Sequence, residues 1–305
     1  MQITNNILEA LIPVITLVIA GYGFRKSQFL PDSFWESAET LTFYVLFPSL
    51  ILFRLLKADF SGLEVTPLII TSLLFFALLT AISWLCDSRL MKFEHRTWTS
   101  FLQGSIRYNT FIALALADKL FGPELFTVSA LLVGVFITVV NMITVIAFSL
   151  AAKPSTTKLI AGFLKNPLII ACLLGITLNV SRLPIPESVN ETLSVFGRAA
   201  LPLALLAVGA GLRIRSLRSI NREIIAPSVI KLIIAPIVMM LLTLVFIRDQ
   251  RISDLLILFA CLPTASAAYI MARKMGGNAE LMASIITFQT IVSVLSVTAV
   301  LFLIL

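Results

Sequence analysis

The chain has 305 residues, of which 59% are hydrophobic and 13% are charged, and its mean hydropathy is +1.02. These values exclude an ordinary soluble protein and indicate an integral membrane protein. The apolar stretches are roughly twenty residues long, which is the length an α-helix needs to cross a hydrocarbon core about 30 Å thick. The 23 Lys and Arg exceed the 16 Asp and Glu, but they lie in short connections and form no stripe, so nucleic acid is not expected as a partner.

Apolar runs separated by polar connections predict an all-α membrane protein with ten transmembrane helices. No connection leaves room for a soluble domain. Nine more spans follow the first one, so we expect the first to be retained rather than cleaved as a signal peptide. The predicted spans are 6–24, 37–56, 65–86, 98–118, 124–150, 158–180, 188–212, 223–247, 253–274 and 279–304.

The distribution of basic residues predicts the orientation in the bilayer. The odd-numbered connections carry thirteen Lys and Arg, whereas the even-numbered ones carry six. Because connections rich in Lys and Arg stay in the cytoplasm, we expect the odd-numbered ones there and both termini outside. The expected location is the plasma membrane, which is the inner membrane in a Gram-negative cell.

The residues for several kinds of chemistry are missing from the sequence. It contains one histidine, His95, and three widely separated cysteines in apolar surroundings, Cys86, Cys172 and Cys261. This set predicts no disulfide framework, no metal cluster and no cofactor. No nucleophile motif accompanies the histidine, so an enzyme is not expected.

An internal repeat divides the chain into two five-helix units. Pro13 and Gly21 in the first span match Pro167 and Gly175 in the sixth, at an offset of 154 residues. The same offset pairs other residues in equivalent spans, and it predicts repeats over 1–150 and 158–305. These further pairs are Pro48 with Pro202, Gly122 with Gly276 and, without identity, Asn109 with Pro263.

Five crossings are an odd number, so the second unit must enter the bilayer from the opposite side. Such inverted repeats are typical of secondary transporters, whose substrate site lies at mid-membrane where the two halves meet. The sequence therefore predicts a carrier that works by alternating access.

Equivalent polar interruptions in spans four and nine predict a pair of broken helices. Span four contains the run 105–110 and span nine the run 262–266, both near the bilayer centre. If the breaks cross, the ends of the half-helices favour an anionic group, most simply a carboxylate. A plain kink at Pro263 and an interhelical hydrogen bond by Asn109 are the alternatives. The candidate substrate residues here are Arg107, Tyr108, Asn109, Thr110, Pro263, Thr264 and Ser266.

Charged and polar residues elsewhere in the spans extend the candidate site. A charge at the centre of a membrane helix costs about 2.5–3.5 kcal/mol on insertion scales and so needs a partner or a wet cavity. Arg107 is deep enough that snorkelling is strained, and it either lines the substrate path or pairs structurally with an acid. Lys231 is a candidate too, although it could snorkel back to the cytoplasm, and Gln289 in the last span is a further candidate. Asp118 and Glu39 lie near span ends, so no residue identifies a coupling ion, and proton coupling, sodium coupling and uniport all stay open.

At these positions the sequence resembles the auxin efflux carrier family, which includes the plant PIN-FORMED auxin transporters and bacterial relatives. The resemblance runs along all ten spans, and the short connection 151–157 is similar to that of a bacterial carrier. Its strongest pieces are 165–169 with Gly175, 201–205 with Gly209, 263–264 with Tyr269, Ala272 and Gly276, and the run 107–110.

The resemblance implies a scaffold made of spans one, two, six and seven and a mobile transport unit made of the other six. It also implies crossing helices four and nine, a carboxylate substrate beside them, an elevator-like motion and a homodimer through the scaffold. The sequence departs from the family in two places. Residues 65–86 lack the acidic residue of the plant carriers, and no proline follows Asn109 closely, so we expect a milder break there than at Pro263.

The sequence as a whole predicts a secondary carrier of a small organic anion in the lipid bilayer. A cation or proton exchanger, or a sodium-coupled organic-anion symporter, of the same architecture is the main alternative. A membrane sensor that binds without transport and an intramembrane enzyme are more distant ones.

Overall fold

The computed structural model describes residues 2–58, 64–149, 166–218 and 220–305, and every regular element in these ranges is helical. The predicted all-α membrane fold is confirmed. In chain order the helices are α1 (Gln2–Lys26), α2 (Asp32–Leu56), α3 (Val65–Met91), α4a (His95–Ile106), α4b (110–121), α5 (123–149), α6 (Pro167–Val180), α7 (Glu187–Ala210), α8 (Arg222–Phe246), α9a (Gln250–Ala260), α9b (Ala267–Met275) and α10 (Ala279–Ile304).

The ten predicted spans correspond to these helices in order. Among the described residues, seven segments are long and apolar enough to cross a membrane. One of them, His95–Ser149, contains the fourth and fifth spans, which separate at Gly122 where φ is 74° and ψ is −171°. The two halves of the ninth span are each too short to qualify. The sixth is apolar from Pro167 onward, and the first part of its prediction, 158–165 with Lys165, lies outside the described residues.

Helices α1, α2, α6 and α7 pack together, and glycines let their backbones approach closely. A β-carbon at Gly21 of α1 would collide with the Leu206 carbonyl of α7, and one at Gly209 of α7 would collide with the Val18 carbonyl of α1. Without a hydrophobic driving force between helices in lipid, close van der Waals contact of this kind is a main source of association. The α1–α7 crossing therefore needs glycine at both positions.

A corresponding contact, with side chains in place of a carbonyl, lies in the other half of the chain, with the helices exchanged. Gly175 of α6 is the repeat equivalent of Gly21, and it packs against Leu55 and Leu52 of α2. Leu52 is 154 residues before Leu206, the residue that Gly21 faces. The first helix of each repeat thus packs on the second helix of the other repeat, as a two-fold relation between inverted repeats requires.

The remaining six helices form a second group around an aromatic cluster. Phe76 of α3 packs edge to face on Phe136 of α5, with ring centroids 4.8 Å apart. Tyr108, between α4a and α4b, lies 5.4 Å from Phe136 and 5.8 Å from Phe259 of α9a. These buried rings join α3, α4, α5 and α9 directly beside the two breaks.

We expect Gly21→Ala to destabilise the protein strongly, because its new methyl group would overlap backbone that cannot rotate away. Overpacked sites typically lose about 1–3 kcal/mol, and a backbone collision belongs at the upper end of that range. The measurement is the melting temperature of the purified protein in detergent. Gly23→Ala is the matched control on the same helix, since nothing lies within 4 Å of its added carbon. Equal melting temperatures for the two variants would contradict the close crossing.

Candidate functional site

Both predicted breaks are present, and they differ in length. Helix α4a ends at Ile106 and α4b begins at Thr110, so three residues, 107–109, interrupt the fourth helix. Helix α9a ends at Ala260 and α9b begins at Ala267, so six residues, 261–266, interrupt the ninth. The expectation of a milder break at Asn109 is confirmed.

The two breaks cross, and Thr264 joins them. Its hydroxyl donates to the carbonyl oxygens of Gly104, at 3.1 Å, and Arg107, at 3.4 Å. Carbonyls in the last turn of a helix have no partner within that helix, and the hydrocarbon core offers no water to replace one. Thr264 is fully buried, so the break in one helix supplies the hydrogen bonds that the end of the other lacks.

Gln289 of α10 hydrogen-bonds to both broken helices at the same crossing. Its side-chain oxygen accepts from the Thr264 backbone N–H at 3.0 Å, and its nitrogen donates to the Gly104 carbonyl at 2.8 Å. The residue is fully buried. The structure thus places this predicted substrate residue at the crossing, with the oxygen and one N–H of its amide committed to the protein backbone.

Asn109 caps the second half of the fourth helix. Its side-chain oxygen accepts from the backbone N–H groups of Phe111, at 3.0 Å, and Ile112, at 3.2 Å, which is how an asparagine N-cap satisfies the unpaired donors of a helix start. Its amide nitrogen donates to no group in the described part of the chain. Thr110, the next residue, is half-buried at the first position of α4b.

The Arg107 guanidinium is held by uncharged groups. One nitrogen donates to the Asn141 side-chain oxygen at 2.6 Å, and the other lies 3.4 Å from the Gln103 oxygen and 3.1 Å from the Met271 sulfur. The residue is 9% exposed. It forms no ion pair with any carboxylate in the described ranges.

Lys231 is a second buried basic residue without an acidic partner among the described residues. It is 1% exposed, and its amino group donates to the Ala260 carbonyl at 3.0 Å. Ala260 is the last residue of α9a, where the helix dipole is negative. A wider, π-helical turn over Ile230–Ile234 precedes Pro236; turns of this type occur mostly as single insertions, frequently at functional sites.

Ser266 and Pro263 occupy the break of the ninth helix. The Ser266 hydroxyl donates to a Glu39 carboxylate oxygen at 3.1 Å, and Pro263 is buried. Glu39 belongs to α2, in the other group of helices. Its contact brings a carboxylate of the protein to the N-terminal end of α9b, where no side chain caps the helix.

Sequence reasoning missed Gln103, as well as the part that Glu39 plays. Gln103 could have been found, because it precedes Arg107 by four residues and side chains at that spacing meet on one helix face. Asn141 is a polar residue within a span, and the sequence does not indicate which way its side chain points. Glu39 lies near a span end, and no local pattern indicates its contact, which joins residues 227 positions apart.

The side chains at the crossing mainly offer hydrogen bonds and positive charge. In the ranges described, no three His, Cys, Asp or Glu side chains come together as ligands for an ion. The polar groups that surround the breaks are amides, hydroxyls, backbone carbonyls and two basic side chains. Apart from Glu39, this set is suited to an anion.

Comparison with known families identifies the class of protein. The model of the membrane transport protein family matches residues 6–163 and 153–301, so the matched segments together cover nearly all of the chain. The chain belongs to this family. The resemblance to auxin efflux carriers is thereby confirmed, and the protein is a transporter rather than an enzyme.

Two curated relatives support the same class. An "Uncharacterized transporter" of Methanothermobacter thermautotrophicus is 24% identical over 289 residues, covering 94% of this chain and 95% of its own length. A Rhizobium meliloti protein with the printed name "Putative malonate transporter" is 31% identical over 142 residues, covering 46% of this chain and 44% of its own. Both relatives bear the name of a transporter.

We expect Gln289→Leu to lower the melting temperature, because it leaves the Thr264 N–H unpaired and removes one bond to the Gly104 carbonyl. A buried polar group without a partner costs about 1–3 kcal/mol. Thr290→Val is the control in the next position of the same helix, since its hydroxyl bonds only to Ile286 one turn earlier. The measurement is the melting temperature of each purified variant in the same detergent. An equal decrease in both would show that Gln289 does not stabilise the crossing.

Proposed function

We propose that this protein is a secondary carrier of a small organic anion and that it holds a carboxylate at the crossing of α4 and α9. The observation that carries the proposal is the presence of two buried basic side chains, Arg107 and Lys231, beside the breaks with no acidic partner in the described residues. Burying a charge is costly unless it is both paired and hydrogen-bonded, and these two side chains have hydrogen bonds but no paired charge among the described residues. A substrate carboxylate would supply the missing negative charge.

Two features of the breaks support an anionic ligand. The Asn109 amide nitrogen is a donor without an acceptor among the described residues, and it sits at the N-terminus of α4b, where the helix dipole is positive. At the N-terminus of α9b, the Glu39 carboxylate already accepts a hydrogen bond from Ser266. A carboxylate of the protein therefore lies at the N-terminus of α9b, whereas the N-terminus of α4b is available to a substrate carboxylate.

The number of basic groups favours a compact dicarboxylate within this class. A single carboxylate carries one negative charge against these two positive ones, whereas a dicarboxylate carries two. Malonate, the compound in the printed name of the Rhizobium relative, has this form. It is the substrate that we would test first, ahead of aromatic and other monocarboxylates.

The grouping of helices supports an elevator-like motion. Within the predicted repeats 1–150 and 158–305, we assign the first two helices of each to the scaffold, which is then α1, α2, α6 and α7. The last three helices of each repeat, α3–α5 and α8–α10, form the transport unit. Polar contacts between the two groups include Glu39 with Ser266 and Arg54 with Asp118 at 2.6 Å. Arg213, in the connection after α7, contacts Tyr269 of α9b at 3.1 Å. Exchange of such contacts would let one group slide past the other. A homodimer through the scaffold belongs to the same proposal.

We expect Asn109→Ser to abolish transport while leaving the protein folded. Serine keeps an oxygen that can cap α4b but removes the amide donor, so the variant separates capping from ligand binding. The assay is uptake of radiolabelled malonate, or of any other acid that raises the melting temperature in a carboxylate panel, into proteoliposomes. A ligand at a hundred times its Kd adds about 2.7 kcal/mol of stability.

The matched control is Asn166→Ala, which removes an asparagine cap from α6, outside the crossing. It should lose stability and retain flux. Wild-type uptake by Asn109→Ser would remove the crossing as the substrate site. Stabilisation by matched amines or by sodium alone, and by no carboxylate, would replace the anion carrier with a cation exchanger.

The orientation proposed from the basic residues places both termini outside the cytoplasm. Cysteines introduced as Arg248→Cys and Arg215→Cys, at exposed positions of connections on opposite sides, test it in a Cys86→Ser background. A membrane-impermeant maleimide applied to intact cells should label the former and spare the latter. Both should react after lysis, and the reverse pattern in intact cells would invert the topology.

A further inference from the structure

The contact between Glu39 and Ser266 joins helix α2 to the break of the ninth helix. The Ser266 hydroxyl donates to a Glu39 carboxylate oxygen at 3.1 Å. Ser266 directly precedes α9b and lies two residues after Thr264, which bonds to the end of α4a. Trp35 and Thr42, on the same face of α2 as Glu39, are both buried. Any movement of the transport unit away from this face of α2 must break the Glu39–Ser266 contact.

The corresponding helices of the other repeat are separated by a cavity. The repeat equivalents of α2 and α9b are α7 and α4b, and a cavity of about 400 Å³ lies between them. Ser194, Arg198 and Leu201 of α7 line it on one side, and Ala115 and Asp118 of α4b line it on the other. The structure is thus closed where α2 meets α9b and open where α7 faces α4b.

An exchange of conformations between the two repeats would reverse these two surfaces. Inverted repeats allow such an exchange, because each repeat can adopt the arrangement of the other. At the offset of 154 residues, Glu39 corresponds to Leu193 and Ser266 corresponds to Ile112. Neither apolar side chain can form a hydrogen bond, so the reversed conformation gains no equivalent bond when α7 closes on α4b. The Glu39–Ser266 contact therefore favours the present conformation over the reversed one.

We propose that Glu39 is a positioning residue that sets the conformational equilibrium of the empty carrier by holding the break of the ninth helix against α2. This inference rests on the proposed elevator-like motion but not on the chemistry of the substrate. Loss of the contact shifts the population toward the reversed conformation, in which the α2–α9b surface is open and the cavity is closed. The loss of one hydrogen bond typically changes such an equilibrium about two- to tenfold.

The test is the rate at which a maleimide labels cysteines on the two surfaces, in the substrate-free full chain with Cys86→Ser. Nanodiscs leave both sides of the protein accessible to the reagent. Ser194→Cys reports the cavity. Gly211→Cys reports the other surface, because a β-carbon at Gly211 would lie 4.0 Å from that of Ser266. In Glu39→Leu the cavity cysteine should react more slowly, and the cysteine at position 211 should react about two- to tenfold faster. A general loosening of the fold would accelerate both reactions.

Variants of both partners separate this contact from other effects of the substitution. Ser266→Ala should reproduce both rate changes, and its combination with Glu39→Leu should add nothing, since each removes the same bond. Glu39→Gln should label like the parent protein, because its amide oxygen can still accept from the Ser266 hydroxyl. Glu36→Leu is the matched control, which removes a carboxylate from an exposed position one turn earlier on α2. It should leave both rates unchanged.

The outcomes distinguish this role of Glu39 from the carrier proposal. Unchanged rates in Glu39→Leu, acceleration at both cysteines, or additive effects of the Glu39 and Ser266 variants would overturn the role of Glu39. Labelling of Glu39→Gln at the rates of Glu39→Leu would overturn it as well. The carrier proposal fails separately, if no carboxylate is transported or if Asn109→Ser transports normally, and neither result enters the labelling experiment.

Discussion

The hydrogen bonds that join the two broken helices are the constraint on which the rest of the structure depends. A helix interrupted inside a bilayer exposes backbone groups that no water can satisfy. Here Thr264 and Gln289 satisfy the carbonyls at the end of α4a, Lys231 satisfies the last carbonyl of α9a, and Asn109 satisfies the first N–H groups of α4b. Each interruption is stable only because the other helices surround it.

Those bonds also produce the chemistry of the site. Because the carbonyls are covered by protein donors, the groups left over at the crossing are mainly donors and positive charge: the Asn109 amide nitrogen, the Arg107 guanidinium and the Lys231 amino group. A site with this excess is suited to a carboxylate. The glycine contacts between α1 and α7 serve a different purpose, since they hold the backbones of these two helices in close contact.

Much of the architecture and the centre of the site could be predicted from the sequence. The offset between Pro13 and Pro167 predicted the repeat, and the polar interruptions predicted where the two helices break. Both signals are local, because proline removes a backbone donor and apolar length follows from bilayer thickness. The contacts of Glu39, Gln103 and Asn141 could not be predicted in the same way. Their partners depend on how helices rotate about their axes and at what depth they meet.

The sequence by itself determined the all-α membrane class, the ten spans, the inverted repeat and the positions of the two breaks. It did so because each follows from composition or from a short pattern of residues. Only the tertiary structure decided that Thr264 bonds to the end of α4a, that Gln289 is committed to the backbone, and that Arg107 and Lys231 have no acidic partner in the described residues. These facts join residues on different helices, and helix packing in lipid is set by close contacts that no single helix contains.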